Sequence, residues 1–313
     1  MSRLAGLAFV LLVAAHPAGQ AADSHRVETA IAERDAGALE TWLHQAGPHA
    51  DSVEAWRARA WLARADGDQE AAMTALDRAV ETAPDDASPL VERARLRFVQ
   101  IGESGRMRAL KLARRARRDL ERARELAPHR VDAILALLRF HADAPGIAGA
   151  SERDAAALEE TLRAVAPAAA DARAARLLLE AGDADAALPV IRRALARDGS
   201  APPDWRMLEA EALEARGRAQ EAFIALEIVV DGSPWFAPAR FEMGRLSAET
   251  GIRPVRGLAE LEAYRGRRRW TGEPSGSEAW TLSARIHERL GDTAAADDAR
   301  RRASEDANGA GNS

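Results

Sequence analysis

The stretch GDQEAAMTALDRAVETAP, from Gly67 to Pro84, returns as GDADAALPVIRRALARDG from Gly182 and as GRAQEAFIALEIVVDGSP from Gly217. In each copy an Ala stands five residues after the Gly: Ala72, Ala187 and Ala222. A branched aliphatic follows four later (Leu76, Ile191, Leu226), and a small or β-branched residue three later again (Ala79, Ala194, Val229). Steps of four and three put these positions on one helical face. Pro84, Gly199 and Pro234 close the copies, and Pro or Gly there is a helix-stop signal. A looser version without the opening Gly runs through Ala116, Leu120, Ala123 and Pro128. Partial copies appear at Ala155, Leu162 and Pro167 and at Gly291, Ala296 and Ala303. A chain built this way folds as a file of small units.

A second helix precedes each copy. SVEAWRARAWLARAD lies before Gly67 and SEAWTLSARIHERL before Gly291, each with an early Trp (Trp56, Trp280) and an Ala four later (Ala60, Ala284). The repeating element is therefore helix–turn–helix, with a period of 35 residues between Gly182 and Gly217. Only 4 % of residues are aromatic, which suits thin layers of Ala-rich helices better than one wide core.

This pattern resembles the tetratricopeptide repeat (TPR) family, whose 34-residue unit has an early Trp, a turn Gly, Ala in the second helix and a closing Pro. The resemblance implies an all-α, right-handed superhelical solenoid of stacked helix–turn–helix units. The expected units are 25–50, 53–86, 87–130, 131–167, 168–201, 203–236, 237–276 and 277–306, within a solenoid spanning 22–306, followed by a disordered tail over 307–313. Insertions are expected around Gln100–Leu110 and in APGIAGASERDA, and YRGRRRWTGEPSGSE, from Tyr264 to Glu278, reads as a long surface loop. Pro189 falls near the start of its helix, where amide hydrogens have few acceptors to lose.

The N-terminus has the form of a signal peptide: Arg3, an apolar core from Leu4 to Ala15, then small residues with Gly19 and Ala21 before the expected cut at 21. The core is short for a membrane span, so the expectation is an exported chain, periplasmic or secreted; an uncleaved anchor is the alternative. Cysteine is absent, which removes disulfides, thiolate metal sites and Cys nucleophiles. A net charge of −5 gives no footprint for nucleic-acid binding.

In the family it resembles, the first helix of each pair faces the inside of the curve, where extended peptides or partner helices are held. Counting along the units, the groove positions are Trp61, Arg95, Arg139, Arg176, Glu211, Arg245 and Arg285. Five of these seven are Arg, against about one Lys or Arg in seven residues of the whole chain. Such a ladder could clamp carboxylates of a protein or peptide partner, because the guanidinium fork matches them. The plainer alternative is that these Arg pair with Glu and Asp of adjacent units. Two further basic runs stand out, Arg106–Arg124 and Arg265 with Arg267–Arg269 beside Trp270. They read as solvated faces, or as peripheral contacts to an anionic surface.

No phosphate loop, hydrolase elbow or metal-ligand spacing occurs, and the seven His are scattered, so no catalytic residue, metal or cofactor is expected. The leading reading is a non-catalytic TPR scaffold for protein–protein interaction in the cell envelope or periplasm. The alternatives are an enzyme or a lipid- or glycan-binding protein using the irregular loops 143–153 and 264–278.

Overall fold

The computed structural model describes residues 18–102, 104–267 and 273–310. Among the described residues there are sixteen α-helices and no strand. They form eight antiparallel hairpins: α1 (Ala18–Glu33) with α2 (Ala36–Ala46), α3 (Val53–Ala65) with α4 (Gln69–Thr82), α5 (Ala87–Gly102) with α6 (Arg106–Leu126), and α7 (Val131–Asp143) with α8 (Glu152–Val165). Then follow α9 (Pro167–Glu180) with α10 (Ala184–Arg197), α11 (Pro203–Ala215) with α12 (Ala219–Gly232), α13 (Ala237–Thr250) with α14 (Pro254–Arg265), and α15 (Gly276–Leu290) with α16 (Thr293–Ala310).

The repeated residues explain the hairpins. Gly67, Gly182, Gly217, Gly251 and Gly291 hold the tight turns at φ between 71° and 79°, a region costly for residues with a Cβ. Asp68 and Asp183 follow two of these glycines and cap the next helix, each accepting a backbone N–H three residues on. Ala72, Leu76 and Ala79 are buried, as are Ala187, Ile191 and Ala194, and Ala116, Leu120 and Ala123. Burying each leucine or isoleucine contributes roughly 1.5–3 kcal/mol. The Ala positions let the helices approach closely.

Each hairpin packs against the next in file. The core is accordingly a succession of clusters along the chain, one joining α9 to α13 and another α5 to α9, without one central body. First helices of neighbouring pairs touch at α1/α3, α5/α7, α9/α11 and α13/α15, while consecutive second helices make no more than marginal contact. First helices therefore lie on the inside of the bend. The fold is an all-α helical-repeat solenoid.

Several details differ from expectation. The extra residues around Gln100–Leu110 do not form a looped insertion: α5 runs to Gly102 and α6, 21 residues long, starts at Arg106. Residues 307–310, expected in a disordered tail, continue α16. The proposed signal segment 1–21 lies outside the described residues up to 17, and α1 starts at Ala18, across the expected cut. Pro189 is accommodated inside α10, which runs unbroken from Ala184 to Arg197.

The stack also turns back on itself. In the first hairpin Arg34, not Gly, occupies the left-handed turn position, at φ 55°. Its guanidinium pairs with Glu273, 239 residues away, at 3.3 Å, and lies 5.6 Å from the centroid of the Phe236 ring. Glu273 is almost fully buried and also binds Arg267 at 2.7 Å. Tyr264, fully buried, donates its hydroxyl to the Pro274 carbonyl at 2.6 Å. The described ends of the segment after α14 are thus anchored, where the sequence suggested a free surface loop.

Candidate functional site

Trp61, Arg95, Arg139, Arg176, Glu211, Arg245 and Arg285 stand on α3, α5, α7, α9, α11, α13 and α15, one on each of seven consecutive first helices. The residue before each one is buried against the stack: Ala60, Ala94, Leu138, Ala175, Ala210, Gly244 and Ala284. The buried residue, small in every case but Leu138, anchors the helix, and the next residue, about 100° round, is turned away from the packed interior. Gly244 shows how tight the anchoring is, since a Cβ there would lie 2.3 Å from Leu261.

Three of the seven converge. Arg176, Glu211 and Arg245 line one cleft of about 350 Å³ together with Asp204, Glu214, Glu242 and Pro274. Arg176 donates to Glu211 at 3.1 Å, exactly one 35-residue period away along the chain. Arg245 donates to Glu214 at 2.6 and 2.9 Å, to Glu242 at 2.6 Å and to Glu249 at 2.6 Å. The hydrogen bonds to Glu214 above all, with Glu242 adding its field, raise the Arg245 pKa and lock in its charge. The two arginines of the cleft face four carboxylates, so its net charge is negative. In this stretch the arginines are neutralised between adjacent units.

The other four positions do not join that cleft. Arg139 is exposed, pairs with Asp143 on its own helix at 3.2 Å, and borders a different cavity. Arg95 and Arg285 are exposed and make no ion pair among the described residues. Trp61 is half-buried against the α1–α3 cluster, with the Arg64 guanidinium stacked 4.3 Å from its ring centroid.

Sequence reasoning raised pairing with acids of adjacent units as the alternative but did not name the partner carboxylates. Glu242 and Glu249 lie three before and four after Arg245, a spacing that places them on one helical face, so that part was readable. Glu214, from the neighbouring hairpin, was not. A second inter-unit pair also went unread: Arg57 on α3 donates to Glu92 on α5 at 2.7 and 3.0 Å, both side chains being buried. Burial opposes the Arg57 charge, and the carboxylates of Glu92, Asp86 and Glu28 together more than offset it, raising its pKa.

The irregular segments part company. Residues 144–150 fold against α6, where Arg114 donates to the Ile147 carbonyl at 2.8 Å and Arg117 to that of Gly149 at 2.9 Å. After α14, Glu273 meets Arg34 instead, and Arg265 at the end of α14 meets α15, stacking 3.7 Å from the Trp280 ring centroid and donating to Ser283 at 2.8 Å. Arg268, Arg269 and Trp270 of the second basic run lie outside the described residues. No group of three or more acidic or His side chains suited to a metal ion occurs among the described residues. No helix among them is long and apolar enough to cross a membrane.

No curated protein matches the chain. Similar solved structures include a tetratricopeptide repeat protein from Parabacteroides merdae, 14 % identical over 81 % of this chain and 93 % of that one, with a TM-score of 0.41. PilW, described as a widely conserved type IV pilus biogenesis factor, is 17 % identical over 67 % of this chain and 91 % of its own, with a TM-score of 0.46. A thermophilic TPR protein from Thermus thermophilus is 18 % identical over 62 % of this chain and 98 % of that one, with a TM-score of 0.46. Models of the tetratricopeptide repeat match residues 53–96, spanning α3 to the middle of α5, and residues 172–234, spanning most of α9 to α12. These two matches fall on stacked hairpins that carry the repeat's turn glycines and packed alanines, so over residues 53–96 and 172–234 the chain is built of tetratricopeptide repeats.

Proposed function

We propose that this chain is an exported, non-catalytic scaffold whose inner face holds an extended segment of another protein. The observation that carries the reading is the file of seven residues on successive first helices, three of which meet in one cleft. Repeat stacks bind along such continuous faces, because every unit offers the same helix side to a partner lying across it. The face is electrically uneven. Around Arg176 and Arg245 carboxylates outnumber guanidiniums, which suits basic or amide-bearing partner groups. Arg95 and Arg285 keep their forks free for partner carboxylates. Export rests on the N-terminal pattern of Arg3, Leu4–Ala15 and Ala21.

A photo-crosslinking residue placed at Arg95 or Glu211 in the producing cell tests this. The expected result is a discrete protein adduct from both inner positions and none from Glu81 on α4 or Glu160 on α8. Equal adducts from the outer positions, or none from the inner ones, would overturn the reading.

A further inference from the structure

We infer that the cavity between α5, α6, α7 and the 144–150 segment is a binding site for a single-chain anionic amphiphile, an alkyl tail bearing a carboxylate or phosphate head. This site is separate from the inner-face cleft and stands whether or not that cleft binds protein.

The cavity holds about 520 Å³, within the range of ligand pockets. Its walls are Phe98 and Ile101 from α5, Leu110 and Ala113 from α6, Phe140 from α7, and Ile147. Two apolar side chains stand out at its mouth: Met107 is 82 % and Ile147 68 % exposed. Leaving such groups in water forfeits the gain of burying them, which an alkyl chain lying between them would recover. Polar groups occur only at the rim, as Arg106, Arg139 and Asp143.

The segment that closes the cavity is held in place. Arg114 and Arg117 grip its carbonyls at Ile147 and Gly149, and the Ser151 N–H donates to His141 Nδ1 at 3.0 Å. Gly149 sits at φ 98°, a backbone conformation costly for any residue with a Cβ, so the closure favours glycine at that position. The cavity itself exists because α6 begins far upstream: its 21 residues exceed the 14 of α4, α10 and α12 by about two turns, and the added turns supply Met107 and Leu110.

Charge selects the head group. Arg106, Arg108, Lys111, Arg115, Arg118 and Arg124 on α6 make no ion pair with any described residue. Among the described residues Asp143 is the one acid lining the cavity, and it is engaged by Arg139. An anionic head beside Arg106 meets an unneutralised guanidinium; a cationic head there meets repulsion.

The test is calorimetric titration of the full chain, below micelle concentrations, with dodecanoate and dodecyl phosphate, and with dodecanol and dodecyltrimethylammonium as controls. One-to-one saturable binding is expected for the anionic probes, weaker by about tenfold or more for both controls. Ala109→Trp, which fills the mouth, abolishes it; exposed Arg106→Glu weakens it about tenfold, with the helical signal unchanged. Asp143→Asn tightens it, which a purely structural role for Asp143 would not produce. Failure of dodecanoate to saturate, equal binding of dodecyltrimethylammonium, or full binding by Ala109→Trp would each overturn the assignment. So would attachment to phosphatidylglycerol vesicles that Ala109→Trp leaves untouched, which would mark α6 as a membrane-facing surface instead.

Discussion

Helices α6 and α13 both carry arginine, many on the first and two on the second, and their guanidiniums have different surroundings. On α13, Arg240 binds Glu260 of α14, and Arg245 binds Glu214 of α11 along with two acids of its own helix. These cations bond one helix to its neighbours. On α6, nine Lys and Arg accompany only Asp119, Glu121 and Glu125, and Asp119 is turned inward to Arg93 and Arg97. Seven of the nine have no ionic partner among the described residues, Arg114 bonding only a carbonyl. Arg106 and Arg108 even occupy the first turn, where the helix dipole disfavours positive charge. The difference teaches that arginine content alone says little. What matters is whether a carboxylate on an adjacent unit already fills the fork: where it does, the residue stabilises the stack, and where it does not, the residue is available to something outside.

Removing a carboxylate from the neutralised region should have the largest effect. Glu260 is 3 % exposed and is held by Arg240 and Arg256. Glu260→Ala should lower stability by about 3 kcal/mol, because it strands partly buried guanidinium charge. The urea midpoint of the C-terminal hairpins is the measurement, and a shift below a third of that would mean water replaces the acid freely.

A smaller effect is expected where the ends meet. Arg34→Gly relieves the left-handed backbone cost of about 1 kcal/mol while deleting the bond to Glu273. Net stability should change little, whereas the radius of gyration from small-angle scattering should rise as the first hairpin parts from the 273 region. An unchanged radius would show that other contacts hold the ends together.

Acidification should act on the α6 side through His141. Burial favours neutral His141 and lowers its pKa below the ordinary value of about 6.5; Asp154 and Glu121 pull the other way, and Arg117 and Arg124 reinforce the lowering. The bond from the Ser151 N–H therefore stabilises fully above about pH 6.5 and is lost as pH falls through the folded-state value. The Ser151 amide resonance should titrate with His141, and resonances around Arg245 should stay fixed over that range. A Ser151 amide that ignores His141 protonation would contradict the bond.

The smallest effect belongs to the free cations. Arg108→Glu, Lys111→Glu and Arg115→Glu together should shift stability by no more than about 0.5 kcal/mol, because none anchors a neighbour. A loss of several kcal/mol would erase the contrast between the two helices.

Much of the architecture was legible beforehand. The spacing of Ala72, Leu76 and Ala79 announced a packed helical face, and all three are buried. Gly67, Gly182 and Gly217 announced tight turns, and each has positive φ. The candidate groove positions were read by phase, and all seven lie on first helices. What they would touch was not legible. Residues Gln100–Leu110 looked like an insertion because the repeat spacing stretched there, yet Gln100–Gly102 end α5 and Arg106–Leu110, good helix formers, lengthen α6. The cavity they create depends on how 144–150 folds back, which no periodicity encodes.

By itself the sequence determined the hairpin, its period and the side of each helix that packs, because a helix repeats every 3.6 residues and burial follows that phase locally. Tertiary structure alone decided which arginines are neutralised, where a cavity opens and that Arg34 reaches Glu273. Those outcomes depend on small rotations between hairpins accumulating over many units, and the rotations are set by the fit of each helix pair against the next rather than by any short stretch of chain.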